Sequence, residues 1–204
     1  MNNLLRMSLY KNNHLALYCF VVSVITTLFI IGCANIEKNA LSFNFSAICS
    51  MTIALSLTFI SFSDDIRNKW CSYLVSYNND RRGLLFSMTA VFYSNILICV
   101  VTVLLILMLY DYATMRTIVP TFITTVALSS FIFSTSLFVY TSTGRCTAFA
   151  LSIPAMAITG CILTFISVVQ PSAPLFDSYV AITAAIASIL IIISSFVTIG
   201  KTDL

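Results

Sequence analysis

The chain has 204 residues, of which 59% are hydrophobic and 8% are charged, and its mean hydropathy is +1.01. A soluble domain of this size carries roughly a quarter charged residues, so this composition excludes an ordinary soluble globular protein. The formal net charge of +3 gives no reason to expect nucleic-acid binding.

Six apolar runs occupy most of the chain, and each is long enough to cross the roughly 30 Å hydrocarbon layer as a helix. None of them contains Lys, Arg, Asp or Glu. They predict an all-α polytopic membrane protein that forms one transmembrane domain over 1–204. A weakly amphipathic N-terminal segment, 1–14, precedes the first run. In chain order the predicted spans are 15–34, 40–62, 84–110, 117–140, 146–169 and 178–199.

The basic residues predict the orientation of these spans. With both termini in the cytoplasm, only Lys38 and Arg116 of the ten lysines and arginines face outward. Positive charge accumulates in cytoplasmic loops, so this orientation is the expected one. The inward residues are Arg6, Lys11, Arg67, Lys69, Arg81, Arg82, Arg145 and Lys201.

The predicted spans lack the charged residues on which most chemistry and ion coupling inside membranes depend. Intramembrane charged side chains would mark a proton relay or an ion-coupled pump, and none is present. Asn95 is the most polar side chain at depth and is expected to donate a hydrogen bond between helices. His14 is expected to face solvent or headgroups, and the seven cysteines have no metal-ligand spacing. We therefore expect neither catalytic residues nor a cofactor bound by this chain.

The C-terminal sequence contains a partial match to a phosphate-binding loop. Gly200-Lys201-Thr202 reads like the end of the P-loop motif GxxxxGK[ST], but Ser195 stands where the first glycine belongs. The segment also follows a predicted membrane helix instead of a strand, so the motif lacks its structural context. ATP hydrolysis is therefore not expected in this chain.

The longest predicted cytoplasmic loop, 63–83, is the most distinctive polar stretch. Asp64 and Asp65, with Ser63 as a possible N-cap, stand where a helix could begin. The spacing of five apolar residues predicts that they share one face of this helix. Such a face suits either an interfacial helix lying on the bilayer or a helix that docks into a partner protein. These residues are Ile66, Trp70, Tyr73, Leu74 and Tyr77.

Six spans with both termini inside and a helical first cytoplasmic loop resemble the membrane subunits of ABC-2 type exporters. Length and local sequence are most similar to the CcmB family, the haem exporter membrane proteins of cytochrome c maturation. The resemblance is carried by the run Phe62 to Ile66, which matches the family's Phe, spacer and Asp-Asp-Leu pattern. It is also carried by the turn at Gly144 and Arg145, which leads into Leu-Ser-Ile-Pro. Where the family often has Asp-Gly after its Asp pair, this chain has Asn68-Lys69.

The resemblance implies a role and a set of partners. The chain would couple ATP hydrolysis in a separate CcmA-like ATPase subunit to haem export or to release of the haem-loaded chaperone. CcmC- and CcmD-like membrane proteins, the haem chaperone and the lipid bilayer would be its other partners, with haem as the possible cargo of the complex. ATPase docking would fall on Asp64, Asp65 and the apolar face of the loop. The compartment would be the bacterial inner membrane, or the mitochondrial inner membrane for an organelle-encoded chain.

Two other interpretations of the sequence remain open. The chain could be the membrane subunit of another ABC-2 type exporter, which moves a lipid, a drug or a polysaccharide. It could also be a membrane-embedded assembly scaffold that has no ATPase partner.

Overall fold

The computed structural model describes the backbone of residues 2–33, 40–72, 81–109, 115–145, 147–169 and 178–199. It describes the side chains of residues 13–32, 47–72, 81–109, 122–145, 147–166 and 181–199. These residues form six long helices, and no strand occurs among them. The helices are α1 (Asn2–Cys33), α2 (Ala40–Arg67), α3 (Arg81–Leu109), α4 (Met115–Thr143), α5 (Thr147–Val169) and α6 (Ser178–Thr198).

All six helices contain a stretch long and apolar enough to cross a membrane, which confirms the predicted all-helical architecture with six spans. Apolar residues lie all round each helix, because lipid and neighbouring helices are both apolar surroundings. The large exposed side chains of the described residues fit contact with lipid tails, as with Phe29, Leu151 and Phe165, each more than two-thirds exposed.

Two helices form the centre of the bundle. In α2 and α4, 56% of the spanning segment is buried, against 17% in α1 and α6. Helix α2 packs against α1, α3, α4 and α5, whereas α6 packs chiefly against α4. The described structure therefore has α1 and α3 on one side of α2, and α5 on the other side with α4 and α6.

The predicted start of a new helix at Asp64 is wrong, whereas the amphipathic segment 1–14 stays a prediction. Helix α1 runs without a break from Asn2 to Cys33, but the side chains up to residue 12 lie outside the described residues. Helix α2 continues through Ser63 to Arg67, so Ser63 is not an N-cap and Asp64 does not begin a new helix. An apolar run ends where the hydrocarbon ends, but backbone hydrogen bonding continues until a residue breaks it.

An aromatic cluster fills the core near one end of the bundle. Phe92 of α3 and Phe133 of α4 stack with ring centroids 4.1 Å apart, and Phe62 of α2 meets Phe149 of α5 edge-on at 5.5 Å. The rings therefore join four helices. The members of this aromatic cluster are Phe59, Phe62, Phe92, Phe133, Tyr140 and Phe149.

We call this end of the bundle the Asp64 end. Helices α2, α4 and α6 finish here, and α3 and α5 begin here, because successive helices alternate in direction. Every lysine and arginine whose side chain the structure describes lies at the Asp64 end. These side chains are Arg67, Lys69, Arg81, Arg82 and Arg145.

Candidate partner-docking site

The candidate docking segment begins with the last turn of α2. The Asn68 N–H donates to the Asp64 carbonyl at 2.9 Å, and the Lys69 N–H donates to the Ile66 carbonyl at 3.1 Å. Lys69 has φ 57°, a left-handed conformation that ends the helix. The predicted continuous helical face from Ile66 onward is therefore interrupted at Lys69. The chain is helical again from Trp70, and the described residues stop at 72 and resume at 81.

The apolar members of the segment contact the bundle itself. Ile66 and Trp70 are half-buried and pack against the core that contains the aromatic cluster. Cys71 is 4% exposed, and its thiol interacts with the Tyr140 side chain of α4. Part of the face predicted to meet a partner or lipid thus covers the chain's own core. The sequence pattern could not distinguish these cases, because an amphipathic face records only that something apolar covers it.

The charged members of the segment are more accessible. Asp64, Arg67 and Lys69 are exposed, and Asp65 is half-buried. The predicted docking residues Tyr73, Leu74 and Tyr77 lie outside the described residues. Among the described residues of the candidate site, the accessible part is therefore polar, and it carries both acidic and basic groups.

The second predicted element, the turn between α4 and α5, lies at the same end. Gly144 has φ 66°, and its N–H donates to the Tyr140 carbonyl at 2.8 Å, so it ends α4 in a left-handed cap. The Arg145 N–H donates to Thr143 Oγ1 at 3.4 Å, and the Arg145 carbonyl accepts from the Ala148 N–H at 3.3 Å. Arg145 is exposed. The turn therefore presents a guanidinium from a defined backbone at the Asp64 end.

Hydrogen bonds between spans lie deeper in the bundle. Asn95 of α3 is 1% exposed, and its Nδ2 donates to Thr58 Oγ1 of α2 at 3.2 Å. This confirms its expected role as an interhelical donor. Thr26 and Thr27 of α1 meet Ser50 of α2 at 3.0 and 2.9 Å. These three residues were not predicted from the sequence, because hydroxyl residues are frequent in spans and most bond their own helix.

The described interior contains no charged side chain, and no group of three or more His, Cys, Asp or Glu residues that could hold a metal lies within the described part of the chain. His14 is exposed at the start of the first span. No protein-family model, no curated protein and no solved structure matches the chain.

Proposed function

We propose that this chain is the membrane component of an ABC-type complex for cytochrome c maturation, with ATP hydrolysis in a separate subunit. The ATPase would drive haem export or release of the haem-loaded chaperone. The observation that carries the proposal is the run Phe62 to Ile66, whose family-like Asp pair stands at the end of α2 with Asp64 exposed. An accessible carboxylate at a helix end is suited to contact a soluble partner.

Asn68-Lys69 is a departure from the resemblance, and the backbone at Lys69 bears on how large that departure is. Where the CcmB family often has glycine after its Asp pair, Lys69 has φ 57°. Only glycine adopts this region without a steric penalty. The chain therefore makes a turn at Lys69 that glycine would favour, although it has no glycine there.

The distribution of basic side chains supports a cytoplasmic Asp64 end. Arg67, Lys69, Arg82 and Arg145 are exposed there, as the positive-inside rule expects for loops that remain in the cytoplasm. An ATPase that uses cytoplasmic ATP would reach this end. The membrane in question would be the bacterial inner membrane, or the mitochondrial inner membrane for an organelle-encoded chain.

The packing of Trp70 favours the scaffold as a second candidate function. Ile66 and Trp70 already contact the chain's own core, which leaves less apolar surface for an ATPase to bind. A scaffold that sits in the membrane without an ATPase needs no such surface. Another ABC-2 type exporter would share the fold and differ in the partners that accompany the ATPase.

The deciding experiment is affinity purification of the tagged chain in mild detergent, followed by identification of the co-purifying proteins. An ABC ATPase together with cytochrome maturation proteins supports the proposal. An ATPase without those proteins indicates another exporter, and the absence of any ATPase leaves the scaffold.

A charge-reversal variant locates the contact. Arg67→Glu changes an exposed residue, so a lower ATPase yield would report docking instead of misfolding. Trp70→Ala would not separate these effects, because Trp70 packs on the core. The matched control is Arg116→Glu, near the start of α4 and therefore at the opposite end of the bundle. Equal loss of ATPase in both variants would contradict docking at the Asp64 end.

A further inference from the structure

Three arginines at the Asp64 end stand at nearly the same height along the bundle, each beside the end of a different helix. Phe62 of α2 contacts Phe149 of α5 with ring centroids 5.5 Å apart, which places these two residues at one level. Arg67 follows Phe62 by five residues, and Arg145 precedes Phe149 by four. At the rise of an α-helix, both arginines lie about 6–8 Å beyond the ring contact.

Arg82 of α3 reaches the same height. Phe92 of α3 contacts Phe59 of α2 with ring centroids 5.7 Å apart. Arg82 precedes Phe92 by ten residues and Arg67 follows Phe59 by eight, so both arginines lie about 12–15 Å beyond that contact. Arginines at one height around a membrane bundle mark the level of the lipid headgroups, because their charge is costly inside the hydrocarbon.

Two of these arginines stand beside helix faces that are turned to lipid. On α3, Phe86 lies one turn after Arg82 and is 45% exposed. On α5, Leu151 and Phe165 share one face and are each more than two-thirds exposed, and Arg145 lies just before this helix begins. Arg82 and Arg145 are themselves exposed. Each cation is therefore placed where acyl chains meet headgroups.

Neither arginine has a carboxylate on the helices beside it. Helices α3, α4 and α5 contain no Asp or Glu. In the described part of the chain, the carboxylates at this end are Asp64 and Asp65 of α2, and Asp65 is half-buried and already interacts. Asp80, directly before α3, lies outside the described residues. Among the residues that the structure describes, Arg82 and Arg145 thus carry positive charge that no neighbouring acid balances.

We propose that Arg82 and Arg145 bind the phosphate groups of anionic phospholipids, on opposite sides of the bundle. The two positions are separate, because α3 and α5 pack on different sides of α2. A guanidinium can donate two parallel hydrogen bonds to one phosphate, which makes arginine well suited to this anion. The acyl chains of the same lipid cover the exposed apolar face next to each arginine.

An anionic phospholipid fits these positions better than other phosphate or acidic groups do. A zwitterionic headgroup has a phosphate but no net charge, so it leaves the positive charge uncompensated. A free phosphate ion offers the same hydrogen bonds but has no apolar part to contact Phe86 or Leu151. An acidic protein would have to reach sides of α3 and α5 that face the bilayer. The proposal is independent of ATPase binding, for which the tested contact is Arg67 of α2.

The test uses the full-length chain, freed of native lipid, in mild detergent micelles with increasing fractions of phosphatidylglycerol or of phosphatidylcholine with the same acyl chains. The unfolding temperature is followed as lipid is added. The half-maximal fraction should be about fivefold lower for phosphatidylglycerol, since one cation near an anionic surface contributes about that factor. The double variant Arg82→Gln/Arg145→Gln should lose most of this difference. No preference in the unchanged chain, or an unchanged preference in the double variant, would overturn the proposal.

The matched control is Lys38→Gln/Arg116→Gln, which removes the same charge between α1 and α2 and at the start of α4, at the opposite end of the bundle. This control should keep the preference for phosphatidylglycerol, and equal loss in both double variants would contradict the assignment. Sodium phosphate at equal ionic strength identifies the source of the phosphate, because an equally large rise in unfolding temperature would indicate a free anion instead of a lipid. Each comparison is between two lipids in one variant, so altered basal stability does not affect it.

Discussion

Gly160 of α5 lies directly against Thr52 of α2. A Cβ at position 160 would sit 2.9 Å from Thr52 Cγ2 and 3.2 Å from Thr52 Oγ1. Such distances are shorter than side chains tolerate, so this contact depends on the absence of a side chain. Thr52 is β-branched and its hydroxyl bonds the Ile48 carbonyl at 2.8 Å, which holds the methyl group in place. Small residues at such crossings let membrane helices approach closely.

Gly160→Ala is therefore expected to destabilise the bundle, although alanine is the better helix former. Overpacking of this kind costs about 1–3 kcal/mol, more than the roughly 1 kcal/mol that alanine gains in a helix. Thermal unfolding in mild detergent measures the change. Gly32→Ala is the matched control, because nothing lies within 4 Å of its added Cβ. A Gly160→Ala variant as stable as Gly32→Ala would contradict the close contact, and Thr52→Ser should partly rescue the clash.

Asn95→Leu is expected to weaken the association of α3 with α2. It removes the bond to Thr58 Oγ1, and hydrogen bonds between membrane helices contribute about 0.6–2 kcal/mol. A double-mutant cycle with Thr58→Val isolates the coupling free energy between the two side chains. The stability of each variant is measured by unfolding in detergent. Ser94→Ala serves as the control, since the Ser94 hydroxyl donates to the Val91 carbonyl within its own helix. Additive effects of Asn95→Leu and Thr58→Val would show that the two side chains are not coupled.

The spans were predictable from the sequence because hydrocarbon thickness and composition determine them. Asn95 was predictable as well, since a lone amide at depth needs a partner on another helix. The end of α2 was not predictable from the sequence. The apolar run stops at Phe62, but the helix persists to Arg67 until Lys69 turns left-handed. Trp70 was assigned to a docking face for a similar reason, because periodicity identifies a covered face without identifying what covers it.

Phe92→Ala and Phe133→Ala are each expected to destabilise the chain by about 3–5 kcal/mol, because both rings are fully buried and would leave cavities. The rings stack with an interplanar angle of 7°, so the pair should also show a coupling of about 0.5–1.5 kcal/mol in a double-mutant cycle. Phe138→Ala is the control, since its ring is 39% exposed. If Phe138→Ala and Phe92→Ala lower the stability to unfolding in detergent equally, the aromatic cluster is not the core of the Asp64 end.

Lys69→Gly is expected to keep or raise stability, whereas Lys69→Val should lower it. At φ 57° the left-handed conformation costs roughly 1–2 kcal/mol for residues with a Cβ, and a β-branched side chain tolerates it least. Glycine removes this cost but also loses more backbone entropy on folding, which limits the gain. Asn68→Val is the control, because no positive φ occurs at that neighbouring position. If Lys69→Val and Asn68→Val unfold at the same temperature, the left-handed turn does not end α2. If Lys69→Val alone is less stable and Lys69→Gly keeps its ATPase yield, the turn positions the docking segment through its backbone and not through the lysine charge.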